Sequence, residues 1–292
     1  MSGDDRGSQA TLRMRTATME RAMVKSPRRR LSLSLRGSLL LVLGLGLWLG
    51  WQARLVREQR QAVAAIKAYG GFVRFDWEFV DGKLAPGAAP RAPGWLRRSI
   101  GDDYFQEVAE VNMVYATDRR GQPDLTPGES DALMAKLGAF PRLRHLYIPD
   151  ELATDRAMDT IGGLAELETL MMWGAKLTDA GLAKARGLRN LKVLKVSDAG
   201  LGDDALAHLA PLVRLEHLDL SGNPITDAGM AHLGGLKALQ FLAINRTRVS
   251  DSGLDALRGL TSLKEIWVPD STVSDEGARR FQAEMPNLNT VR

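Results

Sequence analysis

The chain has no cysteine among its 292 residues. Disulfides, thiolate metal sites and cysteine nucleophiles are thereby excluded, although the compartment is not fixed. Histidine is scarce, with four in the chain, and aromatic residues make up only 6%. No Gly-rich phosphate loop appears, and no Ser or Thr stands in a nucleophile context. His217 next to Asp219 is the one arrangement that invites a catalytic pair, and nothing in sequence completes it. The expectation is a protein that is not an enzyme, with no cofactor, no metal and no small-molecule substrate.

A uniform charge is also lacking. Residues 1–60 hold 12 of the 39 basic and 4 of the 35 acidic residues, net +8, which leaves 27 basic and 31 acidic residues beyond them, net −4. The sequence pI of about 9.4 is thus a property of the N-terminus. A nucleic-acid surface needs basic residues on the folded face, so no nucleic-acid partner is expected.

Residues 1–36 read as a disordered basic cytoplasmic arm ending near Arg28-Arg29-Arg30. Met1, Met14, Met19 and Met23 are all possible starts. Arg36 and Arg54 then bracket an uncharged run, residues 37–53, rich in Leu and Gly. At 1.5 Å per residue it would span about 25 Å, the short end for a transmembrane helix. Trp48 and Trp51 lie toward its distal end, where indoles favour the lipid–water boundary. The denser basic cluster precedes the run, which predicts a single-pass protein of the inner membrane, N-terminus in the cytoplasm and the remainder outside. An uncleaved signal anchor is the favoured reading. A cleaved signal peptide, giving a secreted protein, is weakened by Trp51 at the −3 position of a cut after Ala53. A buried soluble helix fits a Leu/Gly run flanked by arginines poorly.

Residues 54–107 read as a juxtamembrane helix and an N-terminal cap. Val63, Ile66 and Tyr69 recur at helical spacing, and Gly70-Gly71 predict a stop. Phe72 to Trp77 alternates like a strand. Residues 82–94 form a Pro/Gly/Ala loop, and Trp95-Leu96-Arg97-Arg98 opens a short helix. Asp102-Asp103 could bind a cation, though capping suits them better.

Residues 108–292 are dominated by a repeat. Strand openings fall at Leu143, Leu167, Leu191, Leu215, Leu239 and Leu263, 24 residues apart each time. A second marker keeps the same period: Thr154-Asp155, Thr178-Asp179, Gly202-Asp203, Thr226-Asp227, Ser250-Asp251 and Ser274-Asp275. In Leu215-x-x-Leu218-x-Leu220 the leucines face inward from a short strand, and strands of successive coils pair about 4.8 Å apart as one parallel sheet. Thr or Ser can cap the following helix, with Asp at its positive end. Gly181, Gly229, Gly253 and Gly277 occupy a first-turn helical site where glycine costs about 1 kcal/mol against alanine. A small residue there points to close packing between coils.

This pattern resembles the leucine-rich-repeat superfamily, strongly over 143–292 and weakly over 108–142. The T/S-D-x-G-L form is similar to the internalin-related or F-box-type repeats of bacterial genomes, where similar proteins often carry a short N-terminal membrane anchor. The resemblance implies an α/β right-handed solenoid, with a parallel sheet on the concave face and short helices on the convex face. About six regular repeats plus caps are expected, preceded by one transmembrane helix. It also implies a protein partner bound on the concave sheet. One departure is clear: the asparagine that bridges coils in the family stands at Asn223 only, so backbone or Thr/Ser bonding must replace it elsewhere. From Val108 to Leu143 the period is broken by surplus polar residues, Thr117 to Thr126, which should protrude as a loop. Phe281, Met285-Pro286-Asn287-Leu288 and Val291 supply a last half-coil, with no further domain expected.

The fixed register lets outward columns be read off. Tyr147, Met171 and Trp173 cluster on adjacent coils. Phe241 and Trp267 lie toward the other end, with Lys195, His217 and Asp219 between. Aromatics with Met on an exposed sheet match an interface hot-spot layout. These eight residues are the candidate partner-binding set; their packing on one another or on flanking loops is the structural alternative. Lys195 and Asp219 read as a surface ion pair of small weight. His145 and His217 sit three coils apart, about 14 Å, too far to share a metal. The sequence therefore predicts a membrane-anchored, non-catalytic binding module, with a structural scaffold of the cell envelope as the alternative.

Overall fold

The computed structural model describes residues 35–80, 83–85, 88–90, 92–114, 125–285 and 288–291. Two compact units divide the chain, 1–51 and 52–292. Most of the basic arm and most of the surplus loop, its residues 117–124, lie outside the described residues.

Helix α1, Leu35–Ala68, runs without interruption through both the apolar run and the amphipathic stretch. Hydropathy changes along it, near Arg54, from the apolar run to the amphipathic stretch. A helix needs no break there, because its backbone bonds are satisfied internally whichever solvent surrounds the side chains. It is one helix long and apolar enough to cross a membrane. In its later turns Val56, Ala62 and Ile66 are buried, and Ala62 and Ile66 join the core of the second unit. Tyr69 follows them into that core, and Gly70 at φ 96° turns the chain.

Strand β1, Phe72–Phe75, leaves that turn and pairs antiparallel with β4, Val108–Asn112. Between them come a two-stranded hairpin, β2 Phe79–Val80 and β3 Lys83–Leu84, and helix α2, Gly94–Ile100. From β4 onward the sheet is parallel, in the order β1-β4-β5-β6-β7-β8-β9-β10-β11. Its strands are β5 His145–Ile148, β6 Thr169–Trp173, β7 Val193–Ser197, β8 His217–Asp219, β9 Phe241–Ala243, β10 Glu265–Trp267 and β11 Asn289–Val291. A short helix follows each of β4 to β10: α3 Pro127–Ala135, α4 Ala157–Ile161, α5 Asp179–Ala183, α6 Asp203–Ala207, α7 Asp227–Met230, α8 Asp251–Asp255 and α9 Asp275–Glu284. The first of these starts on a capping box. The Thr126 N–H and hydroxyl donate to Glu129 Oε2 at 2.8 and 2.7 Å, with Pro127 in the first turn.

One core runs the length of the array. In a single coil Leu215, Leu218 and Leu220 point in from the strand side, Ile225 fills the turn, and Met230, Leu233 and Leu236 close from the helix side, all fully buried. Each such side chain contributes about 1.5–3 kcal/mol relative to exposure. No coil could bury these faces alone, which is why the coils stack.

The Thr/Ser-Asp dipeptides do more than cap helices. Thr178, Thr226, Ser250 and Ser274 each accept a backbone N–H of their own helix's first turn. Their own N–H and hydroxyl donate to the aspartate one coil earlier: Thr226 to Asp203 at 2.8 and 2.7 Å, Ser250 to Asp227 at 2.7 and 2.6 Å, and likewise Thr178 to Asp155 and Ser274 to Asp251. This carboxylate ladder ties coil to coil where asparagine is missing. It also explains the glycines. A Cβ on Gly181, Gly229, Gly253 or Gly277 would collide with the bridging carboxylate. Asparagine bridges coils as well: at the surface Asn190 Nδ2 donates to Ala165 O at 3.0 Å, and in the core stands Asn223. It is buried, its Oδ1 accepts from Ala199 and Leu201 N–H at 3.1 and 3.0 Å, and its Nδ2 donates to Val196 O at 2.8 Å.

Candidate functional site

Strand register sets out the open face of the sheet as two columns. One runs Glu110, His145, Thr169, Val193, His217, Phe241, Glu265, Asn289. The other runs Asn112, Tyr147, Met171, Lys195, Asp219, Ala243, Trp267, Val291. The columns face away from the core because side chains alternate across a strand, and Leu146, Leu170, Leu194, Leu218, Leu242 and Ile266 take the inward positions.

The N-terminal end of this face is covered by the chain itself. Glu110 is only 5% exposed, and Arg74 of β1 meets both its carboxylate oxygens at 3.1 and 2.9 Å. That guanidinium also sits 4.9 Å from the centroid of the Phe72 ring. Phe79 of the β2–β3 hairpin lies against His145, ring centroids 5.7 Å apart. His145 Nδ1 is 3.1 Å from Thr169 Oγ1. Burial pushes the His145 imidazole below its ordinary value, against the opposing pull of Glu110 and Glu168. Along the strand approach, Glu168 pairs with Lys192 at 2.6 Å. Burial pushes its carboxyl up, but the Lys192 bond and charge outweigh this and hold it below the usual range.

Toward the C-terminal end the face is open. His217 is exposed and lies tilted against Phe241 with ring centroids 5.9 Å apart, and Phe241 meets Trp267 edge-on at 5.5 Å. Trp267 is 39% exposed and its indole N–H donates to Glu265 Oε1 at 2.5 Å, which fixes the ring. Three coils therefore present one continuous aromatic row. Trp173, 38% exposed, stands on β6, and Met171 of the same strand is half-buried. Tyr147 is half-buried near the covered end.

Two sequence expectations change here. Lys195 and Asp219 are register neighbours, yet no ion pair joins them among the described residues. Asp219 Oδ1 instead accepts from its own strand's exit, the Ser221 N–H at 3.0 Å and hydroxyl at 2.6 Å. The local turn wins because it needs no long side chain ordered. Asp102 and Asp103 are taken up by arginines: Arg97 pairs with Asp102 at 2.8 Å and holds its carboxyl below the usual range, and Arg60 pairs with Asp103 at 2.6 Å.

A feature not read from the sequence lies at the strand exits. Gly174, Asp198, Gly222, Arg246 and Asp270 all have φ between 53° and 71° at equivalent positions, 24 residues apart. Arg246 reaches over Gly222 to pair with Asp198 at 2.9 Å, two coils away. A Cβ on Gly222 would meet both partners. The 24-residue spacing of these five positions was available in sequence, but glycine alternating with charge masked their common conformation.

Coils that each give one parallel strand and one short helix in a constant register define a repeat protein of the α/β class. Residues 215–234, one coil of the array, match the family described as leucine rich repeat. No curated protein matches the chain. Among solved structures it is similar to a TDR receptor, at 21% identity and TM-score 0.39 over 53% of this chain and 27% of that one. It is also similar to an internalin from Listeria monocytogenes, at 18% identity and TM-score 0.34 over 54% of this chain and 56% of that one. A plant peptide hormone receptor in complex with RGF2 gives 18% identity and TM-score 0.38, over 54% and 29%. The chain thus spans between about a quarter and just over half of these proteins' lengths.

Proposed function

We propose that this protein is a membrane-anchored binding module that presents the open face of its repeat sheet to a protein partner outside the cytoplasm and performs no chemistry on it. The observation that carries the reading is the aromatic row His217–Phe241–Trp267, left uncovered on a face whose other end the chain covers for itself. Buried rigid aromatics dominate interface energetics, and a Trp already fixed by Glu265 loses little freedom on binding. Tyr147, Met171, Trp173, Lys195 and Asp219 extend the same surface. The non-catalytic part is supported by the engagement of the polar groups: His145 with Thr169 and Phe79, Asp219 with Ser221.

The anchor is residues 37–53, with the basic arm inside and the repeat domain outside an inner membrane. Its retention is supported by the unbroken helix through Trp48–Val56, which offers no extended segment for a signal peptidase. A reporter fused at Arg292 should read out as extracytoplasmic, and a cytoplasmic readout sinks the orientation.

Binding is tested by capture from detergent-solubilised membranes with the wild-type chain and with Trp267→Glu and Trp173→Glu variants. Loss of the captured protein with unchanged circular dichroism supports the module. An unchanged set of partners favours a scaffold role in which the sheet face is incidental.

A further inference from the structure

The two outward columns of the sheet carry three carboxylates, Glu110, Asp219 and Glu265, and one ammonium, Lys195. Each carboxylate is engaged inside the chain. Glu110 meets Arg74, Asp219 Oδ1 accepts from the Ser221 hydroxyl, and Glu265 Oε1 accepts from the Trp267 indole. Lys195 differs. It is half-buried, yet among the described residues no hydrogen bond or ion pair reaches its ammonium. Cations on neighbouring coils do find acids: Lys192 pairs with Glu168, and Arg246 with Asp198.

Its position gives this a consequence. Lys195 stands between the two apolar parts of the open face. Met171 is its register neighbour on β6, and Trp173 lies two residues further along that strand. In the other direction its own column runs through Asp219 and Ala243 to Trp267, three coils away. A partner that covers both apolar parts also covers Lys195 and strips water from the ammonium. Burying an ammonium without a counter-charge is strongly unfavourable. Asp219, the neighbour in register, keeps its Oδ1 on the Ser221 N–H and hydroxyl and makes no ion pair with Lys195. The counter-charge then comes from the partner. Strands about 4.8 Å apart place Trp267 about 14 Å from Lys195, which an extended chain covers in about four residues.

We propose that the partner lays an extended segment along this column, with an aspartate or glutamate side chain on Lys195 and an apolar side chain about four residues away on Trp267. This rests on the reading of the open face as a protein-binding surface, and it names the chemistry that surface selects. The aromatic row accepts any apolar side chain of suitable size. Lys195 supplies discrimination, because a segment that brings an amide or a base leaves the desolvated ammonium unpaired.

The probe is a phage-displayed library of random dodecapeptides, selected on the full-length chain in detergent and counter-selected on its Trp267→Glu variant. Retained peptides should carry Asp or Glu about three to five residues from an aromatic or aliphatic residue. One such peptide is then synthesised with its acid and with the corresponding amide, and both are titrated against the wild type and Lys195→Met. The amide should bind the wild type at least about tenfold more weakly than the acid, and the Lys195→Met chain less than about twofold more weakly. Unchanged circular dichroism shows that the Met variant folds. Retained peptides with no acid at that spacing, or an equal loss on both chains, overturn the proposal and leave the binding face standing. A library in which no peptide separates the wild type from Trp267→Glu overturns both.

Discussion

At the start of the sheet, Glu110 and His145 occupy the same outward column that Phe241 and Glu265 occupy near its end. Arg74 and Phe79 from the N-terminal cap lie against the first pair, while the second, half-buried as His145 is, lies beside the exposed Trp267. Backbone register is the same at both ends, so the difference comes from what precedes and follows the array. The repeat supplies a neutral frame, and the cap decides which part of its face is available. An outward position is therefore not by itself a binding position, and the eight candidates divide accordingly: Tyr147 sits near the closed end, and the His217–Trp267 row forms the open one.

Both ends share one frame, and the largest expected effect comes from breaking it. Gly229→Val would drive a branched side chain into the Asp203 carboxylate and backbone and disturb the two bonds Asp203 makes to Thr226. A loss of about 3 kcal/mol in urea unfolding is expected from overpacking and lost hydrogen bonds. If both ends ride on the same frame, the Trp signals of Trp77 and Trp267 should move together. Separate transitions would show that the closed end is a stability unit of its own.

The two ends should then differ in what a truncation does. Glu110→Ala leaves Arg74 without its carboxylate. Because Arg74 is about a third exposed and can rehydrate, the cost should be about 1–2 kcal/mol. Trp267→Ala removes an edge-on aromatic contact from a partly exposed row and should cost about 1 kcal/mol or less. Its effect belongs instead in partner affinity, where a central Trp is worth about 2 kcal/mol or more, roughly a 30-fold loss. A variant pair with these roles reversed would break the distinction between a closed and an open end.

Much of the frame was legible in the chain. The period of 24, the inward leucines and the capping Thr and Ser all follow from spacing and elementary chemistry, and so did the columns of the outward face. The aspartate ladder was only half legible. Asp203 and Asp227 look like helix-dipole residues when one coil is considered, and their second role needs the neighbouring coil at hydrogen-bond distance. Yet the sequence held a clue. Where Gly202 replaces the usual Thr or Ser, Asp179 keeps only a 3.3 Å contact with the Gly202 N–H, and Ala205 replaces the usual glycine. No hydroxyl draws the carboxylate over that site, so a methyl group fits. The covering of His145 was not legible at all, because Phe79 lies in an irregular segment with no period to place it. Nor was the Asp219–Ser221 bond, since local turns compete with cross-strand pairing on geometry that spacing does not show.

That substitution at Gly202 provides a smaller test of the frame. Gly202→Thr alone should gain little, since its hydroxyl would draw Asp179 against Ala205. Gly202→Thr with Ala205→Gly should restore the ladder, and the double-mutant cycle should show a favourable coupling of about 1 kcal/mol. Additive single effects would mean that the glycine and the carboxylate are unrelated.

The smallest expected effect concerns the closed end alone. In the unfolded chain His145 titrates near its ordinary value of about 6.5. In the folded protein burial beneath Phe79 pushes it lower. Between those two values the unfolded chain binds more protons than the native one, so stability rises with pH across that window. The contribution of neutral His145 is fully present above about pH 6.5, fades as the pH drops toward the folded value, and levels off below it. Urea midpoints measured from about pH 7.5 to about pH 5 should therefore fall more steeply for the wild type than for His145→Gln, which cannot take a proton there. Phe79→Ala should flatten the wild-type slope in the same direction, because it reopens the imidazole to water. Equal slopes in all three chains would mean that the hairpin does not seal His145, and that the closed end of the face is as available to a partner as the open one.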